Sequence, residues 1–272
     1  MFISVIVPVY KDLEALKLIL DALNKQTYKN FEIVVAEDDD ALETVEFLKA
    51  YKSEIKIQHY PQEDKNNRKA MILNKVMHHV LGEYIIFIDG DVIPYSTFVE
   101  SHLKLSEPKT VLCGRRVNLG AKVSQELRDG TLDSYDLERR YLSFYSYLKD
   151  AKTRHYEQGL RFKPDSFFYK IVSKLNKNIH ILGSNFSCFK EDIFAINGFD
   201  EDIVGGSKDD VDLEWRFVAG GCKLKSCKYS ANLFHLDHSR SDRREEESRA
   251  KVMMQENQKN DKFIATNGIF KR

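Results

Sequence analysis

A short apolar run that ends in paired carboxylates places the strongest constraint on how this chain folds. The run Tyr84–Ile88 is continuous, which is typical of a strand buried on both faces of a sheet. Asp89-Gly90-Asp91 follows it at once, and unpaired charge is costly to bury. The strand is therefore predicted to end at the surface, where the two carboxylates can bind Mg²⁺ or Mn²⁺ together with a phosphate. The simpler alternative is a solvated turn.

The segment before this run alternates strands with helices. Three more apolar runs indicate strands, at 3–10, 31–36 and 55–60. Apolar residues at helical spacing indicate the intervening helices, at 13–23, 41–51 and 66–80. Asp12 and Asp40 are predicted to cap the first two helices. This order predicts an α/β fold with a mostly parallel central sheet, right-handed crossovers and flanking helices.

A second acid cluster follows another strand of the same set. Glu37 and Asp38 come directly after the strand at 31–36. Because the carboxyl ends of parallel strands share one edge of a sheet, these acids and Asp89 and Asp91 are expected to face one crevice. Two clusters at one edge favour a ligand site over a solvated turn.

The second half of the chain is less regular. Further strands are predicted at 110–117, 179–190 and 224–234, and a short helix at 191–197. Residues 123–178 are charged and aromatic and are predicted to be helical. They carry an aromatic stripe, Tyr141, Phe144, Tyr145 and Leu148. Such a stripe more often packs against a core, although an acceptor groove or a membrane-surface contact is an alternative.

A third acid cluster follows a Gly-Gly pair. Asp209, Asp210 and Asp212 lie at the predicted start of a helix, where Ser207 and Asp210 fit a capping box. Acids at a helix N-terminus can simply be there because they interact favourably with the helix dipole. Three of them exceed what capping needs, and the preceding glycines allow a ligand to approach closely.

Two histidines follow the strand predicted at 224–234. His235 and His238 are as often structural residues as metal ligands, although the acid clusters raise the odds of a metal site. Beyond residue 239 the chain is highly charged, which predicts a solvated helix that ends in a loose tail.

Charge and apolar content exclude several classes of protein. Lys+Arg and Asp+Glu are equal at 42 each in the 272 residues, so no global field attracts nucleic acid. No apolar run reaches the length of about 18 residues typical of a membrane helix, and the chain opens with a predicted strand instead of a signal peptide. The scattered cysteines suggest reduced thiols and therefore a cytoplasmic location, with the inner face of the membrane as one alternative.

Taken in order, these motifs resemble those of family 2 glycosyltransferases, inverting enzymes of the GT-A fold (a Rossmann-like α/β fold) that use nucleotide sugars. In that family the loop after the first strand, matched here by Pro8 and Tyr10, borders the nucleoside. The acids after the second strand, matched by Glu37 and Asp38, contact uracil and ribose. The resemblance therefore implies a UDP-sugar as donor.

The resemblance extends to the diphosphate. Arg68 and Lys69 match a basic helix start that approaches the diphosphate, and Asp89-Gly90-Asp91 matches the metal-binding Asp-X-Asp motif. It implies Mn²⁺ or Mg²⁺ as cofactor, Asp89 and Asp91 as ligands, and Asp89 and Gly90 beside the nucleotide.

The second half is similar to the acceptor portion of galactosyltransferase-type members of this fold. Asp210 matches their catalytic base. His238 matches the metal-ligating histidine of a His-Ser-Arg motif, and His235 falls where that group places a metal-side residue.

The resemblance implies metal-dependent, inverting transfer of a hexose-type sugar to a hydroxyl of a glycan or lipid-linked saccharide, in surface polysaccharide or lipopolysaccharide synthesis. Residues 1–120 would bind the donor. Residues 121–242 would form a smaller acceptor and catalytic-base half, with 121–178 as a variable helical insertion, and 243–272 a charged tail. No nucleic-acid partner and no membrane span are expected, although peripheral membrane contact is possible. The alternatives are a non-catalytic nucleotide-sugar-binding module and a sugar-phosphate nucleotidyltransferase.

Overall fold

The first part of the chain forms the predicted parallel sheet. The computed structural model describes residues 1–65, 68–175, 178–203, 208–238 and 244–271. Its first elements are β1 (Ile3–Val9), α1 (Leu13–Asn24), β2 (Phe31–Glu37), α2 (Leu42–Ala50), β3 (Lys56–Pro61), α3 (Lys69–Met77) and β4 (Tyr84–Ile88). β1 pairs in parallel with β2 and β4, and β2 pairs in parallel with β3. The predicted α/β class is confirmed.

The two predicted helix caps have different outcomes. The Asp12 carboxylate accepts a hydrogen bond from the Ala15 N–H at 2.9 Å and caps α1, as predicted. The prediction for Asp40 is wrong, because its φ of +48° lies in the left-handed region and Ala41 is the N-cap of α2. The Glu37 carboxylate accepts the Ala41 N–H instead, at 3.1 Å.

The central sheet continues beyond β4 with strands from distant parts of the chain. The next elements are β5 (Val92–Pro94), α4 (Phe98–Leu105), β6 (Thr110–Cys113) and β7 (Val117–Asn118). The strand predicted at 110–117 is therefore two strands. β6 belongs to the large sheet and β7 to a small one, and the loop that separates them reaches the sheet edge where β4 ends.

Residues 121–175 are mainly helical, as predicted. They form α5 (Ala121–Arg128), α6 (Ser134–Arg139), α7 (Tyr145–Asp150) and α8 (Phe167–Leu175), with a 3-10 turn at Tyr156–Gly159. Tyr141 and Leu148 are buried in a cluster that also contains Tyr95 and Phe234, and Phe144 and Tyr145 pack against its edge. The aromatic stripe thus takes the packing role, as favoured.

The remaining strands complete both sheets. The elements are β8 (Asn185–Phe189), α9 (Lys190–Ala195), α10 (Lys208–Ala219), β9 (Lys223–Ser226), β10 (Leu233–His235) and α11 (Arg244–Lys259). The seven-stranded sheet has the order β3-β2-β1-β4-β8-β6-β9, and the three-stranded sheet has the order β5-β10-β7. The strand predicted at 179–190 begins only at Asn185. The strand predicted at 224–234 is two strands, one in each sheet.

The C-terminal segment is packed and is not the loose tail that was predicted. Ala265 and Ile269 are buried. The Asn197 side-chain amide, after α9, donates to the carbonyls of Ala265 at 2.7 Å and Phe270 at 2.8 Å. Across the described ranges, no helix is both long enough and apolar enough to cross a membrane.

Candidate active site

A cleft of about 480 Å³ lies where β1, β2 and β4 end. Eight of the residues predicted from the sequence line it: Pro8, Tyr10, Asp38, Lys69, Asp89, Gly90, Asp91 and His238. A Cβ at Gly90 would lie 2.3 Å from the Pro8 carbonyl oxygen, so close packing of two strand-end loops requires glycine there. The predicted convergence of two strand ends on one crevice is therefore observed.

Asp91, His235 and His238 form an acid–histidine cluster on one side of the cleft. β10 pairs with β5 so that His235 lies opposite Val92, and the Leu236 N–H donates to the Asp91 carbonyl at 2.9 Å. This pairing holds both imidazoles over one carboxylate. The Nε2 atoms of His235 and His238 lie 3.3 and 3.0 Å from Asp91 Oδ2.

The acid–histidine cluster has the donor set of a divalent metal site. One ligand atom from each residue lies within 4.8 Å of the others. Asp91 Oδ1 is buried and has no hydrogen-bond partner in the described part of the chain, which leaves it available to a cation. Burial alone would raise the pKa of Asp91, but the two histidines outweigh it and hold that pKa well below its usual range. A carboxylate with two imidazoles is a donor set that divalent transition metals accept.

Asp89 does not join this cluster. Its Oδ1 accepts a hydrogen bond from Lys69 Nζ at 2.5 Å, and its Oδ2 lies 3.7 Å from Arg116 Nη1. Asp89 thus faces two cations. Its predicted metal role stays a prediction.

Lys69 connects the cleft to an acid pair, Asp209 and Asp210, at the start of α10. It lines both the cleft and an adjoining hollow that Asp209, Asp210 and Gly183 also line. A Cβ at Gly183 would lie 2.8 Å from Asp210 Oδ1, so glycine admits this carboxylate. The Ser207 capping box lies outside the described residues.

The acid pair and Lys69 shift one another's titration. Burial and the neighbouring Asp209 raise the pKa of Asp210 to about 7, against the opposing effects of Lys69 and a Gly183 backbone hydrogen bond. Burial also raises the pKa of Asp209. Burial would lower the pKa of Lys69, but Asp89, Asp209 and Asp210 together raise it above its usual value. Asp210 therefore has the pKa of a group that exchanges protons near neutral pH.

Of the acids after β2, only Asp38 reaches the cleft. Its carboxylate accepts hydrogen bonds from the Gln62 side chain and from the Arg68 backbone N–H, the latter at 3.1 Å. Glu37 is fully buried beside His59 Nε2 at 2.6 Å. Burial would raise the pKa of Glu37, but His59 and hydrogen bonds from Thr44 and the Ala41 backbone hold it below its usual value.

Arg68 faces away from the cleft. Its guanidinium donates to the Glu63 carbonyl, and its Nη1 lies 3.7 Å from Met71 Sδ. The structure therefore brings Lys69, and not the Arg68 side chain, to the position predicted for both.

Two arginines of the site were missed by sequence reasoning. Arg116 follows β6 and faces Asp89, while Arg128 at the end of α5 donates to both Asp12 carboxylate oxygens at 2.8 and 2.7 Å. Arg116 had a usable signal, since it follows a strand. Arg128 had none, because its partner lies 116 residues away in sequence.

The fold is that of a GT-A protein. The structure resembles Staphylococcus aureus TarS, with a TM-score of 0.62 and 13% sequence identity over 94% of this chain and 39% of TarS. It also resembles the mannosyltransferase PcManGT from Pyrobaculum calidifontis, solved with GDP-Man and Mn²⁺, with a TM-score of 0.58. That match has 16% identity and covers 88% of this chain and 58% of PcManGT. At these identities the likeness shows the fold alone.

The chain belongs to glycosyl transferase family 2, whose profile matches residues 4–195. It is 32% identical over 107 residues to the amylovoran biosynthesis glycosyltransferase AmsB of Erwinia amylovora, covering 38% of this chain and 35% of AmsB. It is 21% identical over 253 residues to chondroitin synthase of Escherichia coli, covering 86% of this chain and 34% of the synthase. The family prediction is confirmed, whereas the galactosyltransferase-type resemblance of the second half stays a prediction.

Proposed function

We propose that this protein transfers a hexose-type sugar from a UDP-sugar to a hydroxyl of a glycan or lipid-linked saccharide, with inversion and with a divalent metal. The observation that carries the proposal is the position of Lys69, which adjoins both the donor cleft and the acid pair. The relatives named for amylovoran and chondroitin synthesis support a role in surface polysaccharide or lipopolysaccharide synthesis. The buried, free cysteines are compatible with the predicted cytoplasmic location.

The donor nucleotide would occupy the cleft between β1, β2 and β4. Pro8 and Tyr10 border the nucleoside there, and Asp38 accepts hydrogen bonds from its sugar or base. Lys69 and Arg116 bring positive charge to the diphosphate, with Asp89 holding both cations in place. TarS has been solved with UDP and with UDP-GlcNAc, which supports uridine as the nucleoside here.

The metal would be held by Asp91, His235 and His238. When bound, Mn²⁺ or Mg²⁺ would act as a Lewis acid that offsets negative charge on the departing diphosphate. The two imidazoles keep Asp91 ionised, so the cluster is ready to receive a cation. The chain's own contribution is a site fixed by the pairing of β5 with β10.

Asp210 would act as the general base. Its carboxylate takes the proton of the acceptor hydroxyl, whose oxygen forms the new bond to the anomeric carbon. The bond from that carbon to the diphosphate oxygen breaks at the same time, and its electron pair leaves with UDP. A pKa near 7 suits this task, because a large fraction of the group is ionised at neutral pH and that fraction is still basic enough to accept a proton.

The experiment is a screen of nucleotide sugars for slow hydrolysis, with Mn²⁺, with Mg²⁺ and with EDTA. We expect UDP release from a UDP-sugar that requires the metal and proceeds without an acceptor. Release that is unaffected by EDTA would contradict the metal requirement. Binding of UDP and Mn²⁺ without any hydrolysis or transfer would instead favour a non-catalytic nucleotide-sugar-binding module.

A further inference from the structure

Helix α8 carries an apolar stripe that the fold leaves exposed. Its residues and their exposed fractions are Phe167 (72%), Phe168 (66%), Ile171 (43%) and Leu175 (73%). At the helical angle per residue, these four positions fall within an arc of about 100°. A contiguous exposed apolar face on an otherwise well-packed protein marks an interaction surface.

The other face of α8 is anchored to the protein. Tyr169 is buried, and its hydroxyl donates to the Ser226 carbonyl, at the end of β9, at 3.0 Å. Val172 packs against the same core. The helix is therefore held in place, and the stripe is a stable outward face of the folded protein.

Cations border the stripe. Lys170 and Lys174 are exposed and fall directly beside it on the helix surface. Just before the helix, Lys163 and Arg161 line a second cavity of about 440 Å³, together with Arg139. Phe162 lines this cavity and stacks on Phe168 with ring centroids 6.2 Å apart, so the cavity and the stripe form one continuous surface.

The acids of this surface are already used within the protein. Glu100 accepts hydrogen bonds from Thr27 Oγ1 and pairs with Lys104, and Asp165 lies 3.7 Å from the same lysine. Glu138 accepts from the Ser96 N–H and hydroxyl, both at 2.7 Å.

The remaining cations are therefore available to an anionic partner. Among the residues that the structure describes, none places a carboxylate within 4.0 Å of Arg139, Arg161 or Lys163. Arg161 donates to the Thr97 hydroxyl, and Arg139 stacks over the Tyr135 ring.

From this juxtaposition we infer that α8 and the adjacent cationic cavity dock the protein on the surface of a bilayer that contains anionic lipids. The apolar stripe enters the headgroup boundary while the lysines and arginines contact lipid phosphates, as in helices that lie in the plane of a membrane. A second copy of this chain fits the surface less well, because twofold pairing of the stripe would bring the same lysines together. The inference does not depend on the proposed transfer reaction.

The test is flotation of the purified protein with vesicles of phosphatidylcholine alone or with about 30 mol % phosphatidylglycerol. We expect binding to the anionic vesicles that falls about tenfold or more without phosphatidylglycerol or at high salt. Phe167→Ser with Leu175→Ser should weaken it about tenfold or more. The matched control, Leu42→Ser with Leu81→Ser, removes leucines that are 69% and 57% exposed elsewhere and should bind normally.

A second pair of variants tests the charge. Lys170→Glu with Lys174→Glu should weaken binding about tenfold or more, whereas Lys49→Glu with Lys52→Glu, exposed lysines away from α8, should not. No binding to either vesicle by a folded protein would overturn the inference, and so would equal binding by all variants. A concentration-dependent dimer that Leu175→Ser dissociates, without vesicle binding, would assign the stripe to self-association.

Discussion

The acid–histidine cluster and the acid pair flank the same cleft, yet they shift the pKa of an aspartate in opposite directions. Histidines hold the pKa of Asp91 well below its usual range, whereas burial and Asp209 raise the pKa of Asp210 to about 7. Both aspartates are half-buried. The difference therefore comes from the neighbours, which are potential cations in one case and a second carboxylate in the other.

This contrast assigns different chemistry to the two sides of the cleft, the acid–histidine cluster on one and the acid pair on the other. A carboxylate that stays ionised at all physiological pH values suits a metal ligand, because it does not have to lose a proton first. A carboxylate that titrates near neutrality suits proton transfer. Lys69 lies at the boundary, where it lowers the pKa of the acid pair and pairs with Asp89. The predictions below separate the two sides by removing one group at a time.

The largest effect is expected from Asp91→Asn. The change removes the only charged oxygen donor of the acid–histidine cluster, so Mn²⁺ binding should be lost and metal-dependent UDP release should fall roughly 10⁴-fold. Calorimetry with Mn²⁺ and the hydrolysis assay measure the two quantities. Asp237→Asn is the matched control, since Asp237 lies between the two histidines but is exposed and outside the cluster. Equal loss in both variants would point to a disturbed loop instead of a lost ligand.

Asp210→Asn should reduce transfer roughly 10³-fold while Mn²⁺ and UDP affinities change less than about threefold. The amide is nearly isosteric but cannot accept the hydroxyl proton. Rates under single-turnover conditions, together with calorimetry, separate chemistry from binding. Asp209→Asn is the companion variant, because it removes the other half of the acid pair. If Asp209→Asn abolishes transfer and Asp210→Asn does not, the base has been assigned to the wrong member.

The sequence predicted the strand-end acids of the cleft better than the histidines of the acid–histidine cluster. Asp38 follows β2 and Asp91 follows β4, and both strands belong to the regular strand–helix alternation of the first half, so period and strand-end chemistry sufficed to bring the two acids together. β10 carries His235 to Asp91 only through pairing with the three-residue β5, whose short length gives no periodic signal. At 110–117 and 224–234 a single strand was predicted where the chain forms two short strands, one in each sheet. Strands this short give no periodic signal that would separate them.

The spacing of residues in the sequence also could not predict the direction of individual side chains. Glu37 and Asp38 are neighbours, but successive side chains of a strand point to opposite faces, and only Asp38 reaches the cleft. Arg68 and Lys69, at the start of α3, also point in different directions, because successive residues of a helix are rotated by about 100°. The exposed stripe on α8 and the buried stripe around Tyr141 have similar aromatic content, and only their tertiary contacts distinguish packing from exposure.

Lys69→Met tests the connection between the two sides and should have an intermediate effect. Loss of a charge-assisted contact to the diphosphate should weaken UDP-sugar binding about thirtyfold. Because Lys69 lowers the pKa of Asp209 and Asp210, its removal should also shift the acid limb of the pH–rate profile to higher pH. Lys75→Met, on the same helix but bonded to the Pro61 carbonyl, should change neither quantity. An unshifted pH–rate profile would show that Lys69 does not influence the pKa of the acid pair.

The smallest effect is a pH-dependent gain in stability for Asp210→Asn, measured without metal. The folded-state pKa of Asp210, about 7, lies above the unfolded value. The carboxyl group therefore contributes stability that is fully present below about pH 4 and is lost as pH rises through 7. Asparagine never ionises, so the free energy of unfolding of the variant should exceed that of the wild type by on the order of 1–3 kcal/mol at pH 8, and the difference should vanish near pH 4.

For Asp91→Asn the sign reverses. The pKa of Asp91 is lowered in the folded state, so its carboxylate stabilises the fold at pH values above the unfolded-state pKa, and this contribution is lost as pH falls. Urea unfolding across this pH range measures both differences, and slopes of the same sign would contradict the contrast between the two aspartates.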